Sequence, residues 1–283
     1  MGRRKKYLEG PKVRGNLSLL LAYGQVLERF ITAIQHDIEK EVLPIYQQIH
    51  RGCVQDGLFS NILVVLRDLI EKYAHPEKIT EATKNFAEQN SDYVFKTYEQ
   101  FKKRNSLRID WQPSVKTRER LDEAISQNVD LIKTIPKKYL EDVKKEFSKA
   151  TAKGWDMQQI HTALTERHGV TQRRAFNMAV DQQNKVINAV SNQVNKDAGI
   201  VWVKWIHRAG VKKPRHSHVM ADGTIFDVRK GCFIDEEWIM PGQKINCHCF
   251  SVAVIPIEAQ RRSAALVSDA HPFKAKPFFC RAV

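Results

Sequence analysis

Two short stretches in the last third of the chain hold the residue types best suited to chemistry. Arg215-His216-Ser217-His218 leads to Asp222-Gly223, and Asn246-Cys247-His248-Cys249 follows downstream. Residues two apart in extended backbone point to the same face, so the thiols of Cys247 and Cys249 can reach one ion. Zinc favours cysteine sulfur and histidine nitrogen in a tetrahedron. His218, Cys247 and Cys249 are therefore the candidate metal ligands, with His216 or Cys232 available to complete the set. The Cys-x-Cys spacing is tighter than the usual zinc pattern. The competing reading has His218 bonded to loop backbone and the cysteines packed as small apolar groups.

Catalytic readings of the same residues are less well furnished. Cys247 and His218 form a nucleophile–base pair on paper, but no oxyanion-hole signature or orienting third group accompanies them. His216, His218, Asn246 and His248 loosely resemble the set used by metal-dependent nucleases, without their spacing and without evident acidic residues for a catalytic cation. There is no Walker-type loop, and no glycine-rich dinucleotide fingerprint follows a strand. The expectation is a protein that is not an enzyme, with the nuclease as the alternative.

A helix expected from Thr171 to Lys196 carries a further signal. Ala175, Met178, Ala179, Gln182, Val186, Ala189 and Val194 can face a core. Asn177, Asp181, Asn184 and Asn188 make a second, polar stripe. That stripe is either a contact surface, a solvated face, or a set of buried hydrogen bonds to irregular loops.

The elements that must position these residues follow from hydrophobic periodicity. Leu20, Tyr23, Leu27, Phe30, Ile34, Ile38 and Val42 recur at three- and four-residue steps, which predicts a helix that Pro44 kinks or ends. Helices are expected over Leu58 to Ala74 and Ile79 to Arg104, and a boundary near Trp111-Gln112-Pro113. Beyond it come Ser114 to Thr134, a helix opening at Pro136, and a short one from Asp156 to Arg167 stopped at His168-Gly169. Ile200 to Ile206 and Phe250 to Ile257 are β-branched and aromatic and read as strands. The fold class is α+β: a mostly helical N-terminal region, then a mixed domain of long helices and a small β-sheet. The divisions expected are a basic flexible arm over 1–15, a helical region over 16–112, a mixed domain over 113–257 and a basic tail over 258–283.

Bulk properties narrow the function classes. Lys and Arg number 46 against 32 acidic residues in 283, a formal net charge of +14 that favours a polyanionic partner. Arg3, Arg4, Lys5, Lys6, Lys12 and Arg14 concentrate in the arm and are the candidate nucleic-acid contacts, suited to a phosphate backbone and blind to base sequence. Five cysteines make a poor disulfide framework. No uninterrupted apolar run approaches the roughly 20 residues a membrane span needs, so no membrane partner is expected.

In the second half the chain resembles the Mu F-like head-morphogenesis family, the minor head proteins of tailed phages. The resemblance begins at Asn128-Val129-Asp130-Leu131-Ile132-Lys133-Thr134-Ile135-Pro136 with Tyr139 and Val143, and continues through Gly154, Ile160, Leu164, Arg174-Ala175 and Asp181-Gln182. It runs on through Ala198-Gly199-Ile200, Val203-Lys204-Trp205, Arg215-x-x-His218, Asp222-Gly223, Pro241-Gly242 and Asn246-Cys247-His248-Cys249. Two positions depart from the family pattern: Val211-Lys212 stand where an acidic residue commonly precedes the Arg-x-x-His element, and His248 stands where arginine often separates the cysteines. The resemblance implies a low-copy internal head protein near the portal, made in the host cytoplasm and carried in the virion. Its implied partners are portal, capsid or scaffold proteins and double-stranded DNA, in head morphogenesis and genome packaging or ejection.

Overall fold

The structure, a computed structural model, describes residues 7–50, 57–210 and 213–256. Arg3, Arg4, Lys5 and Lys6, the Val211-Lys212 pair and the basic tail lie outside the described residues. Helices dominate, with a small four-stranded antiparallel sheet and a two-stranded hairpin, so the expected α+β class holds. Two compact units each draw on separated stretches of chain.

One unit comprises residues 18–86 and 125–179. Here α1 (Leu17–Asp37) passes through a π-helical turn, Ile38–Val42, into α2 (Leu43–His50). Proline cannot donate to the helical ladder and crowds the carbonyl four residues back, and the wider turn just ahead of Pro44 is where the helix absorbs that misfit. The predicted stripe is buried at Leu20, Tyr23, Leu27, Ile34, Ile38 and Val42. By length and composition Leu17–Ile49 is apolar enough to cross a membrane, but the core of a helical unit demands the same composition. Tyr23 stacks on Phe86 at 4.2 Å and shares a 2.8 Å hydrogen bond with Thr83. The Tyr46 hydroxyl donates to the Trp155 carbonyl at 2.7 Å, and Tyr139 donates to Gln35. α3 (Leu58–Lys72) ends beside Tyr73, whose hydroxyl meets Asp37.

Two expected helix breaks do not occur. α5 runs unbroken over Val115–Lys153 with Pro136 inside it, and α6 over Met157–Asp197 through His168-Gly169. Thr171 opens no new helix; its hydroxyl bonds back to the Arg167 carbonyl at 2.9 Å. A mid-helix glycine costs only about 1 kcal/mol relative to alanine. Burial of Ile160, Leu164, Ala175 and Ala179 along one face outweighs that. Pro136 is likewise buried, between Ile135 and the core residues Tyr139 and Leu140. The start of α6 is as expected. Asp156 Oδ1 accepts from the Gln159 N–H at 2.8 Å and Gln159 Oε1 accepts from the Asp156 N–H at 2.9 Å, a reciprocal capping box.

Among the described residues, the other unit draws on 7–17, 87–124 and 180–256 and contains the sheet. α4 (Glu77–Arg104) leads into an irregular stretch in which Leu107, Ile109 and Trp111 are buried, with Trp111 edge-on to Tyr98 at 5.0 Å. Ser114 caps α5, accepting from the Thr117 N–H at 3.0 Å. α6 ends where the Ile200 N–H returns to the Asn195 carbonyl at 2.9 Å. The sheet has the order β1-β6-β2-β3, all antiparallel: β1 (Tyr7–Glu9), β6 (Phe250–Pro256), β2 (Trp202–Ile206) and β3 (Ile225–Asp227). The two strands expected from sequence are thus its central pair. Between them lie the short helix α7 (His216–Met220) and a hairpin of β4 (Cys232–Ile234) with β5 (Glu237–Ile239). Its two-residue turn puts both Asp235 and Glu236 at positive φ, and the Ser217 hydroxyl holds Asp235 at 2.7 Å.

Edge strand β1 corrects the expectation of a flexible arm through residue 15. Tyr7, Leu8 and Glu9 pair with Pro256, Ile255 and Val254, and the Gly10 N–H donates to the Ala253 carbonyl at 2.8 Å. A Cβ at Gly10 would stand 2.7 Å from that of Ala253, so only glycine permits this approach. Glu9 also pairs with Lys204 across the sheet. The pairing of an otherwise exposed edge holds this segment in place despite its charge.

Candidate metal centre

The two chemistry-bearing stretches meet under the sheet. His218, in α7, turns Nδ1 toward Cys247 Sγ at 3.3 Å and Cys249 Sγ at 3.8 Å. All three residues are buried, and their ligand atoms lie within 4.8 Å of one another. They sit against an apolar cluster of Val203, Trp205, Phe226, Val228, Ile234 and Ile239. Trp205 meets the His218 ring edge-on at 5.2 Å. The hydrogen bond from Cys249, opposed by burial and aided by His218, holds Cys247 far below the usual thiol range. The same bond, burial and the adjacent charge push Cys249 up.

Each anchor of this cluster is traceable to a local device. Arg215, at the head of α7, donates to the Ile245 carbonyl at 3.0 Å and so ties the histidine helix to the cysteine loop. The Cys247 N–H closes a turn onto the Lys244 carbonyl at 3.0 Å. Asp222 Oδ1 accepts the His207 N–H at 2.7 Å, while the Gly223 N–H donates to the Trp205 carbonyl at 2.8 Å. The Arg-x-x-His and Asp-Gly elements therefore fix backbone around the cluster.

From the other side, α6 grips the same loop. Asp181 Oδ1 accepts the Asn246 N–H at 2.6 Å, and Asn184 Nδ2 lies 2.9 Å from His248 Nδ1. Asn188 Nδ2 donates to the Cys249 carbonyl at 3.2 Å, and the Ser251 hydroxyl donates to Asn192 at 2.5 Å. Burial, with Arg208 nearby, holds His248 below the usual histidine range and leaves Nδ1 free to accept from Asn184. The polar stripe predicted on this helix is thus a ladder of buried hydrogen bonds to an irregular loop. Asn177 is exposed and takes no part in it.

Residues 141–252 match the Phage Mu protein F like protein family. The resemblance read from the sequence holds over that stretch, which runs from the second half of α5 into β6. A Haemophilus influenzae protein described as uncharacterized is 23% identical over 254 residues, covering 83% of this chain and 53% of the relative. The chain thus spans about half the length of the curated relative it matches. No solved structure matches the chain.

Within the Mu F-like stretch, the nuclease set is not drawn together. His218 faces the thiols, His248 faces Asn184, and His216 and Asn246 are exposed. Cys232 is buried in the apolar cluster around the site, but the group able to share an ion among the described residues is His218, Cys247 and Cys249. Sequence reasoning missed His207. It follows β2, is half-buried, and places Nδ1 3.6 Å from Cys249 Sγ. A histidine closing one strand, with the cysteines directly preceding the strand beside it, was the available signal. Of the candidate nucleic-acid contacts among the described residues, Lys12 pairs with Glu9 at 3.6 Å and Arg14 is exposed.

Proposed function

We propose that this chain is a minor head protein of a tailed phage, internal and portal-proximal, acting in head morphogenesis and in packaging or ejection of the genome. The match of residues 141–252 to the Phage Mu protein F like protein family carries this reading. The net charge of +14 supports a sequence-independent contact with packaged double-stranded DNA, with portal, capsid or scaffold proteins as the other partners. Synthesis in the host cytoplasm and residence inside the virion follow from the role.

Burial supports a structural rather than catalytic use of the cysteine loop. A nucleophile must reach its substrate, whereas Cys247, Cys249 and His218 are each about 3% exposed. Asp181, Asn184, Asn188 and Asn192 spend their hydrogen bonds on holding the loop rather than on presenting it.

The test is genetic. Deleting the gene from the genome that encodes it, with complementation in trans, should leave host growth unaffected and reduce infectious particles, with defective or DNA-deficient heads accumulating. Unchanged infectivity with the gene absent would contradict the role.

A further inference from the structure

We propose that His207, His218, Cys247 and Cys249 bind one zinc ion in a closed tetrahedral site, with His207 as the fourth ligand. With Zn–S near 2.3 Å and Zn–N near 2.0–2.1 Å, tetrahedral geometry separates a nitrogen and a sulfur ligand by roughly 3.5 Å. The N-to-S separations found are 3.3 Å and 3.8 Å from His218, and 3.6 Å from His207 to Cys249. These separations match edges of such a tetrahedron, while His207 stands outside the group whose ligand atoms all lie within 4.8 Å of one another.

Burial adds to this. His218, Cys247 and Cys249 are all buried, their ligand atoms lie within 4.8 Å of one another, and His218 Nδ1 faces both sulfur atoms. A cation between the sulfurs and Nδ1 accounts for that convergence of donors. Two sulfurs and the His218 nitrogen, with His207 as the proposed fourth donor and no carboxylate, suit zinc rather than calcium or magnesium.

His207 closes the site from its half-exposed side. Its backbone is fixed by Asp222, and it reaches the group through Cys249, so rotation of its side chain completes the fourth position. Four protein ligands leave no open position for a catalytic water, so the ion is structural. It would tie α7 and the cysteine loop to the end of the β2–β6 pairing, where Ile206 lies opposite Phe250.

The test uses the full-length reduced chain loaded with zinc, and with cobalt(II) as a spectroscopic stand-in. One equivalent of zinc per chain is expected, with intense tetrahedral cobalt bands and thiolate charge-transfer absorption. His207→Ala, at a half-exposed position, should fold as judged by circular dichroism. It should lose more zinc affinity than the roughly 10–100-fold that removing an outer-shell partner costs, and its cobalt bands should weaken as water enters. Cys232→Ala should keep the wild-type stoichiometry and spectrum. A folded wild-type chain that takes up no zinc or cobalt would overturn the site. Unchanged affinity and spectrum in His207→Ala would overturn the assignment of the fourth ligand.

Discussion

The carboxylate of Asp181 accepts the backbone N–H of Asn246 at 2.6 Å, so a helix side chain holds the residue directly before Cys247. Asn246 is in the left-handed region, with φ of 56°, a conformation asparagine adopts more readily than most residues. Asp181→Ala should destabilise the chain by about 1.5–3 kcal/mol, the range for a buried hydrogen bond to a charged group. Asp181→Asn keeps an acceptor and should cost less. Urea unfolding of the three proteins measures this, and equal midpoints would show that the contact contributes nothing.

A paired glycine experiment isolates the next rung of the ladder. Gly210 and Gly242 both have positive φ, 86° and 81°, so alanine is strained at either. A Cβ at Gly210 meets nothing within 4 Å, whereas at Gly242 it would stand 2.4 Å from Asn188 Nδ2. Gly242→Ala should therefore be the more destabilising by roughly 1–3 kcal/mol, the cost of leaving a buried polar group without its partner. Equal losses would mean that Asn188 moves aside freely.

Much of this was legible in sequence, and the gaps have physical causes. The three-and-four periodicity marks α1 because Leu20, Tyr23, Leu27 and Ile34 are all buried. The stripe Asp181, Asn184, Asn188 was visible as a face, though not its target, because hydrogen-bond partners some 60 residues away leave no periodic trace. Pro136 and Gly169 misled because local propensity is weaker than the burial on either side of them. β1 has no signature of its own: three residues with a charge become a strand only when β6 offers an edge. His207 was missed because metal-type reasoning followed spacing within the loops and passed over a residue delivered by a strand end.

The Asp37 contact predicts a pH dependence. Burial alone would raise its pKa, but hydrogen bonds from the Lys72 ammonium at 2.7 Å and the Tyr73 hydroxyl at 2.5 Å bring it below the usual carboxylate value. A folded-state pKa below the unfolded one stabilises above the unfolded value and is lost as pH falls through the folded value. Wild type should exceed Asp37→Asn in melting temperature at neutral pH, and the gap should close under acid. A gap constant down through the carboxylate range would refute this origin.

Two N-terminal truncations separate charge from structure. Removing residues 2–6 deletes Arg3, Arg4, Lys5 and Lys6 but spares β1. If all four contact phosphates, the slope of log affinity for duplex DNA against log salt should flatten by about 3.6, with unchanged melting and no preference between unrelated sequences. Removing residues 2–10 also deletes β1 and the Gly10–Ala253 bond and should lower the melting temperature. An unchanged salt slope in the shorter truncation would move the DNA contact elsewhere.

If the chain is a structural part of a phage head, quantitative mass spectrometry of density-purified particles made by the genome that encodes it should find it there. DNA-filled particles should contain this chain at a fixed ratio well below that of the main shell protein, retained through nuclease treatment and high-salt washing. Particles that are infectious, complete in their other head proteins and free of this chain would contradict it.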